Sequence, residues 1–150
     1  MIEILEQDFD LNETLAGMIK DYVGAVVTFV GTVRGTAKNS ETNQNERPLK
    51  VKRLEDDIYK EMALSKMGEI REKVLSEFDI HDIHIIHRIG TLKPTEKIVL
   101  IAVSASHRKD AFSACEFAID ELKKIVPIWK KEVTTDSEHW IGEQRSEERT

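Results

Sequence analysis

The 150-residue sequence predicts an α+β fold, with a mixed or antiparallel sheet and two long helices packed on it. Three observations carry this prediction. Strand-like and helical runs are interleaved, not gathered into separate blocks. Some connections are of hairpin length, such as Thr91–Glu96 around Pro94, which suits antiparallel pairing better than a doubly wound parallel sheet. Two long stretches carry apolar residues at steps of three and four, the signature of helices with one buried face.

Taken in order, Met1–Leu5 alternates weakly and predicts an edge strand. Leu11–Tyr22 places Leu11, Leu15, Met18 and Ile19 at helical spacing, with Asp10 or Asn12 able to cap the start. Gly24–Val33 is β-branched and almost wholly apolar, so it predicts a buried strand, and Gly31 within it marks a bulge or a close backbone approach. Thr36–Pro48 is rich in Asn, Glu and Thr without periodicity and predicts a mobile loop. Leu49–Leu54 alternates as a strand does. The first long helix follows, its stripe formed by Tyr59, Ala63, Met67, Ile70, Val74 and Phe78. Asp82–Ile89 and Ile98–Ala105 predict two further strands. Lys109–Val126 is the second long helix, lined by Ala111, Cys115, Ala118, Leu122 and Ile125, with Phe112, Ile119 and Val126 beside them. Pro127 ends it. Trp129–Thr135 and His139–Ile141 predict short strands. The expected organisation is one domain over 1–142, with the mobile loop at 36–48, and a frayed charged tail over 143–150.

Composition narrows the function. The formal net charge of −6 and the scarcity of aromatics argue against a general nucleic-acid binder. Cys115 is the only cysteine, so there is no internal disulfide and no cysteine-rich metal site. The opening MIEILEQDFD is too polar for a signal peptide, and no apolar run approaches membrane-spanning length. A soluble cytoplasmic protein without metal or cofactor is the expectation.

Against this acidic background one region gathers cations. His107 and Arg108 stand where the second long helix begins, and Lys123 and Lys124 where it ends. Lys130 and Lys131 follow Pro127. Lysines at a helix C-terminus complement the dipole and need no further reason, but cations at its N-terminus are unfavourable unless something anionic binds there. Arg34 ends the buried strand, another position where functional groups collect. Alternation along a strand would send Lys130 and Lys131 to opposite faces. A lysine desolvated among cations can serve as acid, base or nucleophile. Other candidates read as structural. Cys115 lies on an apolar helix face. The spacing of His81, His84 and His87 throws neighbouring members to opposite faces of a strand. Tyr59, Met62 and Met67 read as core, and Gly31–Gly35 lacks a phosphate-loop lysine.

Several strings carry a resemblance. GAVVTFVGTVRG at Gly24–Gly35, HRIG at His87–Gly90, SASHRKDAFSA at Ser104–Ala114, LKKIVPIWKKE at Leu122–Glu132 and HW at His139–Trp140 resemble, in order and spacing, the large, catalytic subunits of molybdopterin synthase. In the weaker middle segment, Asp56 stands where such proteins usually carry an apolar residue. The resemblance implies an α/β-hammerhead-like fold. It also implies a sulfurtransferase reaction of molybdenum cofactor biosynthesis, which turns cyclic pyranopterin monophosphate into dithiolene-bearing molybdopterin. Sulfur would come from the thiocarboxylated C-terminus of a small ubiquitin-like partner, with the large subunits forming a homodimer within a heterotetramer. By the same resemblance Lys123 and Lys130 are the catalytic lysines, and Arg34, His107 and Arg108 contact the substrate anion. Phe29 lines the pocket, and Glu132 is the acidic residue beside the second lysine. A further basic residue contributed across the dimer has Gln144 at its position, with Arg145 one further on. The competing reading is a non-catalytic module that uses the same cations to hold a phosphate or another anion.

Overall fold

The computed structural model describes residues 1–37, 49–126, 128–134 and 138–140. In chain order it forms β1 (Ile2–Leu5), α1 (Leu11–Met18), β2 (Ala25–Thr32), β3 (Thr36–Ala37), β4 (Leu49–Ile58) and α2 (Lys60–Glu77). Then come β5 (Asp82–Arg88), β6 (Gly90–Leu92), β7 (Lys97–Ala105), α3 (Arg108–Ile125), β8 (Ile128–Thr134) and β9 (Glu138–Trp140). One sheet has the order β1-β5-β7-β2, with β1 parallel to β5 and the other pairs antiparallel. The second is built around β4, which pairs with β3, β6 and β8, and β9 adds to β8. This is the α+β architecture the sequence predicts, with two sheets in place of one.

The helices α2 and α3 cover one face of the first sheet. Ala63, Met67, Ile70 and Val74 of α2 and Ala111, Ala114, Cys115, Ala118 and Leu122 of α3 meet Ile83, Ile85, Ile101 and Val103 there. The other face is closed by Phe9 and Met18 against Ile86, Leu100 and Ala102. A third cluster of Val33, Leu54, Leu92 and Ile98 joins the two sheets. Gly31 marks both features the sequence suggests. The register shifts between Gly31 and Thr32, and a Cβ at Gly31 would stand 2.5 Å from Val99 Cγ1.

Several expectations are corrected. The helix expected over Leu11–Tyr22 stops at Met18, after the Asp10 carboxylate has accepted the Asn12 and Glu13 amides as its cap. The strand expected to end at Leu54 continues to Ile58, because β6 pairs with it as far as Asp56 and β8 as far as Ile58. The helical stripe therefore begins at Ala63. Tyr59 and Met62 are exposed, not core, as are Phe112 and Ile125. The loop expected over Thr36–Pro48 opens with strand pairing, Thr36 to Lys50 and Ala37 to Leu49. Residues 38–48 and the expected tail 143–150 lie outside the described residues. Among the described residues no helix is long and apolar enough to cross a membrane.

Candidate active site

The register of β4 against β8 sets the centre of the site. Leu54 lies opposite Glu132, Asp56 opposite Lys130 and Ile58 opposite Ile128. Directly opposed residues share a face, and Ile58 and Ile128 pack on the main core, so Lys130 and Glu132 belong to the inward face. Lys131 takes the outward face, where its Nζ stands 3.9 Å from Glu55 and Arg53 holds the same carboxylate at 3.0 Å. Alternation thus separates the two lysines as the sequence predicts. Glu132 is buried.

Two ionisable groups that sequence reasoning passed over complete the centre. Asp56 is buried, and burial raises its carboxyl pKa to about 6 although the positive charge of Lys130 pulls it down. His87, at the end of β5, is only 2% exposed. Burial, with Lys130 adding to it, lowers its pKa to about 4, so the imidazole is neutral at pH 7. Its Nδ1–H donates to the Arg88 carbonyl at 2.7 Å, because a carbonyl can only accept, and Nε2 is left with the lone pair. A polar residue at an inward position of β4 was the signal for Asp56. For His87 it was the histidine that ends a buried strand.

Lys123 reaches the same end of the molecule from α3. A two-residue link joins β7 to α3, so the helix runs back along the strand it has just left. Cys115 Sγ rests 3.9 Å from the Ile101 carbonyl at mid-strand. The last turn of α3, with Lys123 exposed, therefore lies towards the Lys97 end of β7. Arg34 lies there too, since Thr32 pairs with Lys97 and the Val33 amide bonds the Glu96 carbonyl at 2.9 Å. Phe29 is half-buried on β2 opposite Ile101, and its ring is 3.5 Å from where a Gly31 Cβ would stand.

His107 and Arg108 do not join this group within the chain. His107 is the N-cap of α3, makes no side-chain cap hydrogen bond, and is exposed together with Arg108. An α3 of 18 residues is about 27 Å long, which places the pair far from Lys123. Ala25 of β2 pairs with Ala105 beside them, whereas Arg34 lies past the other end of β2. The expectation that Arg34, His107 and Arg108 converge in one chain is corrected, because a helix and a strand of full length stand between them.

The cysteine has no role as a nucleophile here. Burial pushes the Cys115 thiol up to about 11, so it stays protonated at neutral pH. Among the described residues no group of three or more His, Cys, Asp or Glu could hold a metal ion. A polar cleft of about 290 Å³ lies away from the lysines, lined by Tyr22, Arg71, His81, Asp82 and Ser104 among others. Its arginine is already engaged, 3.3 Å from Asp82 and 3.6 Å from Glu72.

Comparison with known proteins places the chain in a family. The MoaE protein family model matches residues 4–125. The molybdopterin synthase catalytic subunit of Pyrococcus abyssi is 41% identical, over 93% of this chain and 88% of its own. The crystal structure of molybdopterin synthase from Staphylococcus aureus superposes with a TM-score of 0.83 at 38% identity, covering 93% of this chain and 96% of that one. A protein–protein complex of subunits 1 and 2 of molybdopterin-converting factor from Helicobacter pylori shares the fold, with a TM-score of 0.72 at 21% identity over 95% of this chain and 91% of that one. The chain belongs to the MoaE family, the catalytic subunits of molybdopterin synthase.

Proposed function

We propose that this chain carries out the sulfur-transfer step that makes the dithiolene of molybdopterin, with Lys123 and Lys130 as the catalytic groups. The observation that carries the reading is the position of Lys130: on the inward face of β8, beside two buried ionisable groups, at the end of the fold that also holds Lys123 and Arg34. The substrate is a cyclic pyranopterin monophosphate, whose charge suits these cations. The only thiol of the chain is buried and protonated, so sulfur is delivered from outside, as a thiocarboxylate on the C-terminal tail of a small partner subunit. The two-subunit complex of the Helicobacter pylori neighbour is consistent with such a partner. Phe29 lines the pocket, and Glu132 fixes the electrostatics beside Lys130.

His107 and Arg108 enter this function across an interface between two copies. A two-fold dimer repeats one contact symmetrically. It can set the start of α3 of one protomer against the end of α3 of its partner, and two composite sites result. The dimer then sits at the centre of a heterotetramer, with one small subunit at each site. Gln144 and Arg145 lie outside the described residues.

The test is subunit complementation. Arg108→Ala and Lys123→Ala proteins, each inactive alone, are mixed one to one, allowed to exchange subunits, and supplied with thiocarboxylated partner and the cyclic precursor. Half of the dimers are then mixed, and each carries one intact site, so dithiolene formation recovers to about a quarter of wild type. If each site lay within one chain, the mixture would recover nothing. An anion-binding module would make no product even as wild type.

A further inference from the structure

We propose that Asp56 is a positioning residue for Lys130: buried directly across the strand pair, its carboxylate takes the proton of the Lys130 ammonium when that amine has to act uncharged. The inference rests on the reading of Lys130 as a catalytic group.

The geometry comes from the register. Asp56 and Lys130 are opposed partners of β4 and β8, which sets their Cβ atoms about 4.5–5.5 Å apart on one face. Asp56 is 6% exposed, and among the described residues neither of its carboxylate oxygens has a hydrogen-bond partner. Buried carboxylates are costly to leave in that state and are seldom left so without cause. No structural task accounts for this one. It caps no helix and bonds no backbone amide, and its neighbours on the same face of β4 are Leu54 and Ile58. An apolar side chain would serve packing better there.

The groups facing Asp56 narrow its role. From β8 they are Lys130 directly and Glu132 on the diagonal; from β6 it is Gly90, which brings no charge; and His87 of β5 feels the same Lys130 charge. His87 is neutral, so among the described residues Lys130 is the cation whose charge acts on Asp56. The proton step is balanced in itself. An N–H bond of the ammonium breaks, an O–H bond forms on the carboxylate, and a neutral amine faces a neutral acid. Burial narrows the gap between that neutral pair and the separated charges. A carboxyl group that titrates near pH 6 is suited to hold a proton briefly near neutrality.

The experiment uses the complete dimer carrying ¹⁵N-labelled lysine, with the Lys130 side-chain resonance assigned by its loss in Lys130→Arg. Asp56→Asn keeps the size of the side chain and removes the charge and the basic oxygen. We expect the Lys130 titration midpoint to fall by about one pH unit or more, and the single-turnover rate of dithiolene formation to fall about a hundredfold. Asp56→Glu restores the midpoint at least in part. Should Asp56→Asn not fold, Asp56→Leu carries the same comparison. A Lys130 midpoint that is the same in wild type and variant overturns the proposal, whatever the activity. Wild-type protein that makes no dithiolene overturns the sulfur-transfer reading instead, and the titration still decides the role of Asp56.

Discussion

The two buried ionisable groups around Lys130 make opposite demands on stability, and this can be measured without substrate. Asp56 has its pKa raised from 3.8 to about 6, so the folded state prefers its neutral form. Its cost is absent below pH 3.8, grows as pH rises, and is complete above about 6. At about 1.36 kcal/mol per pH unit it comes to about 3 kcal/mol. His87 has its pKa lowered from 6.5 to about 4, so its contribution is complete above 6.5 and is lost as pH falls towards 4, again about 3 kcal/mol. Between pH 4 and 6.5 the two slopes oppose each other, and together they leave wild-type stability nearly flat. Asp56→Asn removes one of them. Relative to wild type the variant should be unchanged in its pH-dependent stability below pH 4 and gain about 3 kcal/mol by pH 7.5. Its own stability should then fall on acidification along the His87 limb. Urea unfolding followed by circular dichroism at half-unit intervals from pH 4 to 8 reads both curves. Parallel curves, or a variant whose relative stability declines with rising pH, would refute the assignment of Asp56 as a destabilised buried acid.

Two further outcomes follow from the packing. Gly31→Ala should destabilise the fold by about 1–3 kcal/mol in urea unfolding, because the new Cβ would lie 2.5 Å from Val99 Cγ1 on the neighbouring strand. A loss below 0.5 kcal/mol would show that β2 yields at its bulge. Cys115, with its thiol pushed up to about 11 and only 5% exposed, should resist alkylation by iodoacetamide at pH 7.5 in the folded protein and react readily in urea, as intact mass reports.

Where one force decides a feature, the sequence was a good guide. The apolar stripe from Ala63 to Val74 and the extended course of β2 are settled by hydrophobic periodicity and β-branching, although β2 is half-buried where a fully buried strand was expected. The opposite fates of Lys130 and Lys131 follow from the two-residue repeat of a strand. Reading failed where pairing between distant strands decides. Tyr59 and Met62 fit a helical period by number, but β4 is held in extended form to Ile58 by β8, so the stripe starts one turn late. Asp56 looked like a lapse in an apolar pattern until the register set it opposite Lys130. The separation of His107 from Lys123 needs only the rise of a helix to be seen. Grouping the cations by sign alone leaves out the length of α3 between them.

In the proposed function Lys123 and Lys130 act by chemistry and do not merely supply charge. Arginine keeps the positive charge and cannot give up its proton usefully. The decisive measurement is therefore the single-turnover yield of dithiolene from Lys123→Arg and Lys130→Arg proteins at saturating thiocarboxylated partner and cyclic precursor, with binding of both ligands measured alongside. Near-normal binding and a rate reduced about a hundredfold or more are expected in each variant. Product formation at the wild-type rate by both arginine variants would contradict a chemical role for the two lysines.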